Sequence, residues 1–206
     1  MKENKFSKII IFSSILFLVA LIYSCNSSIT NPTTDKTITD FPNKIGDEWK
    51  YFYYDSLSSL ADTVIVSIVG DTTFNTNRTA KVWKYQFRDG IEYHFVEILN
   101  DTVRIYDYLE TLWDNTKFVF PLKVGKGWKG DFVTDTSSII KRESISVLAG
   151  HFEDSYLIKE EWDGPNEHGH VLTSFVPRIG IVKKLDLGFS FGSGNKNWEL
   201  MEYMIK

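Results

Sequence analysis

The sequence predicts an all-β fold made of two duplicated antiparallel modules, which together form a curved sheet, a sandwich or an open barrel. From residue 41 onward, the strand-favouring residues Val, Ile, Tyr, Phe, Trp and Thr recur in short runs. Turn sequences such as Asp-Gly, Asn-Asp and Gly-Ser-Gly separate these runs, and no long run places apolar residues at helical spacing. Short connections of this kind favour hairpins over crossovers.

The duplication is visible in two ten-residue segments. Residues 41–50 read Phe-Pro-Asn-Lys-Ile-Gly-Asp-Glu-Trp-Lys, and residues 120–129 read Phe-Pro-Leu-Lys-Val-Gly-Lys-Gly-Trp-Lys. Proline fixes φ at the start, glycine permits a bend with positive φ, and tryptophan opens the next strand with a large apolar side chain. The segments are therefore interpreted as strand-leading corners, with a ligand-contact role as the alternative.

Strands follow in the same order after each corner. A run ending at glycine comes first, then a strand leading to an Asp-Gly turn (Asp89-Gly90 and Asp163-Gly164), a return strand and a closing strand. The predicted strands are 63–69, 82–87, 93–98 and 102–106 in the first module, 145–148, 156–162, 171–176 and 180–185 in the second, and a final 198–203 reached through a hairpin at 192–194. The modules span 41–110 and 120–206, or form one continuous domain, 41–206.

The first 24 residues have the pattern of a secretory leader. Three lysines precede an apolar run over residues 9–23. As a helix, fifteen residues reach about 22 Å, less than the roughly 30 Å of a bilayer core. A leader is therefore preferred to a transmembrane anchor, which stays open as the alternative.

Cys25 is the one cysteine of the chain, and it ends the apolar run in Leu-Ile-Tyr-Ser-Cys. This segment resembles the bacterial lipobox, although Tyr23 is bulkier than the usual occupant. The resemblance implies cleavage after Ser24, diacylglycerol on the Cys25 thiol and acylation of the new amino terminus. Two or three acyl chains would hold the protein on a membrane, whereas one gives only marginal binding. Residues 25–40, rich in Asn, Ser, Thr and Asp, are interpreted as a lipidated flexible tether.

The two corner segments, together with Val176-Pro-Arg-Ile-Gly-Ile-Val-Lys183, resemble a group of secreted bacterial lipoproteins. Members of that group carry FPLxVGxxW-type and PGVGxVK-like segments, and most have no assigned activity. The resemblance covers most of residues 41–206 and brings no catalytic residues with it. Arg178 stands where the pattern usually has glycine.

The predicted location is the bacterial cell envelope, through lipid on Cys25. Asn26 follows the cysteine where inner-membrane retention would use aspartate, which favours the outer membrane, and the absence of an acidic export tag favours its periplasmic face. The chain has a net charge of −4, and removal of the lysine-rich leader makes it more acidic. The sequence has no stripe of basic residues of the kind that nucleic acid requires, so nucleic acid is not a predicted partner.

Three patterns could carry chemistry. His168-Gly169-His170 could chelate Zn²⁺ or Cu²⁺ with His151 as a third ligand, but a polar hairpin loop explains these histidines equally well, so no metal is assigned. Gly188-Phe-Ser-Phe-Gly192 matches a nucleophile elbow by chance, since every histidine precedes Ser190. Glu160 and Glu161 point to opposite faces of a strand, so this pair cannot by itself form a two-carboxylate acid/base site. No cofactor-binding pattern is present in the sequence.

The preferred function is a non-catalytic binding or scaffold module with an unknown glycan, lipid or protein partner. It predicts an aromatic concavity without convergent titratable groups. One alternative is a glycan- or metal-dependent hydrolase, which predicts that two or more acids, or His151, His168 and His170, converge in one pocket. The other is a carrier of apolar ligands, which predicts a deep apolar cavity.

Overall fold

The computed structural model describes residues 40–74, 77–107, 116–130, 136–163, 168–188 and 194–206. The leader, Cys25 and the tether before Asp40 lie outside the described residues, as does Ser190. Regular structure in the described part consists of strands: β1 (Glu48–Asp55), β2 (Leu60–Thr73), β3 (Thr79–Gln86), β4 (Ile91–Leu99), β5 (Thr102–Tyr106), β6 (Thr116–Val119), β7 (Gly127–Lys129), β8 (Thr136–Val147), β9 (Gly150–Asp163), β10 (His168–Val176), β11 (Gly180–Gly188) and β12 (Lys196–Met204).

The twelve described strands form one antiparallel sheet in the order β6-β5-β4-β3-β2-β1-β12-β11-β10-β9-β8-β7. Two six-stranded meanders are joined where the first strand of one pairs with the last strand of the other, β1 with β12. The sheet curves until β6 faces β9 and β10: Lys117 forms an ion pair with Glu160 at 2.8 Å, and the Phe118 and Phe175 ring centroids are 5.1 Å apart. The predicted all-β class is confirmed, and the sheet nearly closes into a barrel.

The two corner segments adopt one backbone pattern. The amide of Gly46 donates to the Ile68 carbonyl at 2.9 Å, and the amide of Gly125 donates to the Ile139 carbonyl at 2.8 Å. Both glycines have positive φ, 92° and 86°, as the bend requires. The glycines at the end of the following runs differ, because Gly70 lies inside β2 whereas Gly150 opens β9 after a tight turn.

A shared core connects the two meanders. Thr37–Lys206 is one compact unit, and its buried side chains come from strands of both halves. Trp49 is 1% exposed and stacks on Trp83 with ring centroids 5.0 Å apart, while Phe41 stacks on Phe175 at 6.0 Å. The concave face of the sheet therefore holds one aromatic core rather than two separate ones.

Each predicted strand overlaps an observed one, but most observed strands are longer than predicted, and β1, β6 and β7 had no predicted limits. β5 coincides with the predicted 102–106, and β8 begins at Thr136, well before the predicted 145. Strand β6 falls between the predicted limits of the two modules. None of the described residues belongs to a helix long and apolar enough to cross a membrane.

Candidate ligand cavity on the concave face

The curved sheet encloses a cavity of about 370 Å³ that is open to solvent. Small-molecule sites commonly occupy about 300–1,000 Å³ and combine apolar walls with a few polar groups. Both meanders contribute to the walls, with apolar and aromatic members Phe41, Trp49, Tyr51, Val66, Trp83, Tyr85, Phe87, Ile105, Phe118, Ile158, Val171, Ile181 and Trp198.

The aromatic wall follows from the period-two alternation of the strands. Every second residue of β1 (Trp49, Tyr51 and Tyr53) is buried, because successive side chains point to opposite faces of a sheet. Trp198 on the neighbouring β12 contacts the Tyr53 ring at 4.7 Å and the Tyr51 ring at 5.9 Å. Of these side chains, Trp49, Tyr51 and Trp198 line the cavity, and Tyr53 packs against Trp198 beside it.

The polar tips of two of these rings are satisfied by the backbone of one segment. Trp49 Nε1 donates to the Ile179 carbonyl at 2.6 Å, and the Tyr51 hydroxyl donates to the Ile181 carbonyl at 2.8 Å. Desolvation by burial, helped by the nearby Tyr85, raises the pKa of Tyr51 well above its ordinary value. Both groups are therefore neutral donors that attach β1 to the start of β11.

A histidine between two carboxylates lies at the mouth of the cavity. His94 Nδ1 is 2.7 Å from Asp107 Oδ1, and His94 Nε2 is 3.8 Å from Glu92 Oε2. The imidazole lies edge-on to Tyr85, with ring centroids 4.5 Å apart. Desolvation by burial, followed by the negative charges of Asp107 and Glu92, raises the pKa of Tyr85.

A small cluster on the convex face fixes the end of β5, and with it the position of Asp107. Tyr106 is buried against Phe74, with ring centroids 5.2 Å apart, and donates to Glu97 Oε2 at 3.0 Å. Glu97 is 3% exposed and also lies 3.4 Å from Arg78 Nη1. Because Tyr106 points outward, the next residue, Asp107, points to the concave side.

Two lysines and one glutamate form the second polar part of the cavity wall. Lys117 on β6 and Glu160 on β9 form an ion pair where the sheet nearly closes, with side chains 30% and 27% exposed. Lys184 also lines the cavity, and its neighbour in the sheet is Thr173 on β10. Desolvation by burial lowers the pKa of Lys184, and the positive charge of Lys117 lowers it further.

The histidines singled out in the sequence are not brought together. His168 and His170 lie near the start of β10, opposite Asp163 and Glu161 of β9. His151 lies at the other end of β9, about 40 Å away along the strand, and contacts Ser146 Oγ at 2.9 Å. No group of three potential metal ligands occurs among the described residues, so these histidines form no described metal centre.

The two adjacent glutamates separate as the alternation predicts. Glu160 lines the cavity, whereas Glu161 pairs with Lys159 at 2.5 Å. Gly169, which lies between His168 and His170, has a packing role, because a Cβ there would collide with the Trp162 ring. The glycine thus lets an aromatic side chain cover β10.

Sequence reasoning missed the residues that give the cavity its polarity: His94, Asp107, Lys117 and Lys184. The only available signal was a polar residue at an inward position of a predicted strand, as for His94 in 93–98 and Lys184 in 180–185. The binding-module hypothesis predicted no convergent titratable groups, and the cavity differs because carboxylates do line it. Each of these carboxylates has an imidazole or ammonium neighbour within 4 Å.

No known protein-family model matches the sequence, and no curated protein is detectably similar. The fold is similar to that of a candidate exported protein with a YmcC-like fold from Bacteroides fragilis, with a TM-score of 0.53 and 14% identity over 82% of this chain and 100% of that chain. A candidate lipoprotein from Parabacteroides distasonis has a TM-score of 0.49 and 15% identity over 82% of this chain and 99% of that one. The first similarity shows the fold alone.

Proposed function

We propose that the protein is a lipid-anchored envelope protein that holds a small amphipathic molecule in the concave cavity and performs no chemistry on it. The observation that carries this proposal is the cavity of about 370 Å³, which has aromatic walls and a few polar groups. Such a composition is typical of small-molecule sites, in which apolar surface supplies affinity and polar groups fix orientation.

The pairing of the ionisable groups supports binding rather than catalysis. Asp107 is held by His94, and Glu160 is held by Lys117. Catalytic carboxylates of hydrolases instead need an environment that leaves one acid protonated and the other charged. No serine or cysteine, the two commonest acyl-transfer nucleophiles, is among the described residues that line the cavity.

A neutral fluorescent dye tests the binding function. N-phenyl-1-naphthylamine should bind residues 37–206, the compact unit, with a Kd below about 100 µM while the protein stays folded. Thr173→Phe fills the cavity and should weaken the dye at least about tenfold. Leu172→Phe, one residue earlier on the opposite face of β10, is the matched control and should bind as the parent protein does.

Dye binding that is equal in both variants, or absent from a cooperatively folded parent, would remove the proposal. Circular dichroism and urea unfolding of each variant establish that the protein is folded before the dye titration is interpreted.

The proposed location is the periplasmic face of the outer membrane, with lipid on Cys25. The lipobox-like segment and the apolar leader support this location, and the structural neighbour from Bacteroides fragilis is itself described as exported. Cells grown with a palmitate analogue should label the wild-type protein and leave Cys25→Ala unlabelled. Equal labelling of both, or an exported product that still begins at Met1, contradicts the anchor.

Hydrolysis is the second candidate, and the arrangement around His94 is the observation that favours it. An imidazole flanked by Asp107 and Glu92 could move a proton to a substrate in the cavity. A screen of glycosides and simple esters tests this function. Turnover that falls at least about a hundredfold in Asp107→Asn, with the dye still bound, would replace the binding proposal by an enzymatic one.

A further inference from the structure

We infer that the cavity selects a molecule with one carboxylate and an apolar body, and that the Lys184 ammonium receives the carboxylate. The inference rests on the proposed binding function and names the chemical class of its ligand. It follows from the position of Lys184, from the charge balance of the inner cavity and from the aromatic wall beside it.

Lys184 lies where the polar and aromatic walls meet. It is in the middle of β11, between Thr173 of β10 and Trp198 of β12, and all three side chains line the cavity. The Lys184 ammonium forms no hydrogen bond or ion pair with the described residues. Its neighbour Lys183 points to the other face and lies 3.9 Å from Glu199. The Lys184 ammonium can therefore accept an anion from a molecule that lies in the cavity against the aromatic wall.

Around Lys184, the described residues of the inner cavity carry one positive charge in excess. Lys117 and Glu160 offset each other at 2.8 Å. Asp186 and Lys196, which are partners in the sheet and also act on Lys184, offset each other as well, which leaves the charge of Lys184. Glu92 and Asp107 are also in the cavity wall, but their side chains are 62% and 63% exposed. Water screens charges at such exposure, so these two repel an anion at the inner wall only weakly.

Desolvation makes the positive charge of Lys184 unfavourable in the folded protein, as is common for residues at binding sites. Burial lowers the pKa of Lys184, Lys117 and Lys196 lower it further, and Asp186 and Glu160 oppose the shift. A lysine whose pKa is lower in the folded than in the unfolded state destabilises the fold below the folded pKa, and stability rises as pH rises through that value. A bound carboxylate would compensate this partly buried charge, which has no close partner among the described residues.

The same groups disfavour a phosphate head. A dianion would bring two negative charges close to Glu160 and Asp186 while Lys184 supplies one free positive charge. One carboxylate matches the excess charge of the inner cavity. The aromatic wall, with Trp198 next to Lys184, accommodates the apolar body.

Displacement of N-phenyl-1-naphthylamine by four twelve-carbon probes tests the inference on residues 37–206 at pH 7.5, below the micelle concentrations. Dodecanoate should displace the dye at concentrations at least about tenfold lower than dodecanol, dodecyltrimethylammonium or dodecyl phosphate. Lys184→Met should weaken dodecanoate at least about tenfold and leave dodecanol unchanged or tighter. Lys183→Met, the adjacent lysine on the other face, should change neither.

Each outcome decides between the two levels of the proposal. If no probe displaces the dye in the folded protein, the binding function itself fails. If dodecanol and dodecanoate compete equally, or if Lys184→Met leaves dodecanoate unaffected, the binding function stands and the carboxylate inference is overturned. Preference for dodecyl phosphate also overturns it.

Two further measurements guard against misfolding of the variant. Lys184→Met should raise the urea midpoint at pH 7.5, since it removes a desolvated charge, and Lys184→Gln provides a polar substitute of similar length. The probe series on the unmodified protein decides the inference even if both variants unfold.

Discussion

The two corner segments share six of ten residues and one backbone pattern, yet they lie in different surroundings. Trp49 opens β1, which lies between β2 and β12 in the middle of the sheet, and the indole N–H donates to Ile179. Trp128 opens the edge strand β7, is only half-buried, and its Nε1 has no hydrogen-bond partner among the described residues. The repeated motif fixes the bend, and the position in the sheet decides what the tryptophan contributes.

The seventh residue of each corner, Asp47 in the first and Lys126 in the second, also makes different contacts in the two surroundings, and the two side chains have opposite charges. The carboxylate of Asp47 accepts from the backbone amides of Lys44 and Lys206 at 2.8 and 2.9 Å. Lys126, its counterpart, donates to the Phe120 carbonyl at 2.9 Å and the Pro121 carbonyl at 3.4 Å. In one corner an acid satisfies amides, and in the other an ammonium satisfies carbonyls. A polar side chain of either sign can therefore complete the bend.

The tryptophans provide the largest test of this comparison. Trp49→Ala should lower the free energy of unfolding by about 4 kcal/mol, because it empties a site in the shared core and removes the stack on Trp83. Trp128→Ala should lower it by about 1–2 kcal/mol, because the ring is half-buried at an edge. Urea unfolding of residues 37–206 measures both values. Equal losses would mean that the edge corner belongs to the core as fully as the central one.

Most of the fold could be predicted because its signals are local. Strand β5 follows from its β-branched residues and the Asn100-Asp101 turn, so its limits were predicted to the residue. The early part of β8 was not, because Ser137, Ser138, Lys141 and Arg142 hide the alternation and the pairing with β9 supplies the strand. The cavity required the curvature of the whole sheet, which brings β6 across to β9. No local pattern reports that approach, so the polar residues of the cavity were missed.

The seventh-position pair is expected to give intermediate effects. Asp47→Ala should lower the free energy of unfolding by about 2–3 kcal/mol, because Asp47 is fully buried and two amides lose their acceptor. Lys126→Ala should lower it by about 1 kcal/mol, because the contact with the Phe120 carbonyl is only partly buried and water can replace the ammonium at the exposed Pro121 carbonyl. Thermal or urea unfolding at pH 7 distinguishes the two. Asp47→Asn is the control that keeps the size and one acceptor, and it should recover part of the loss. A larger effect at Lys126 would reverse the ranking of the two corners.

The smallest expected effect concerns the turn between β10 and β11, which contacts the first corner. Arg178 has a φ of 66°, and its amide donates to the Asp40 carbonyl at 2.7 Å, just before Phe41. A non-glycine residue in this region is strained by about 1 kcal/mol, whereas glycine adds comparable freedom to the unfolded chain. Arg178→Gly should therefore change the free energy of unfolding by less than about 1 kcal/mol, in the stabilising direction if strain exceeds the entropy. Gly180→Ala is the opposite control: its φ is 102° and an added Cβ would press on Pro42 and Trp49, so it should destabilise by at least about 2 kcal/mol. If Arg178→Gly destabilised as much as Gly180→Ala, the ion pair of Arg178 with Asp40, at 3.8 Å, would have to be holding the first corner in place.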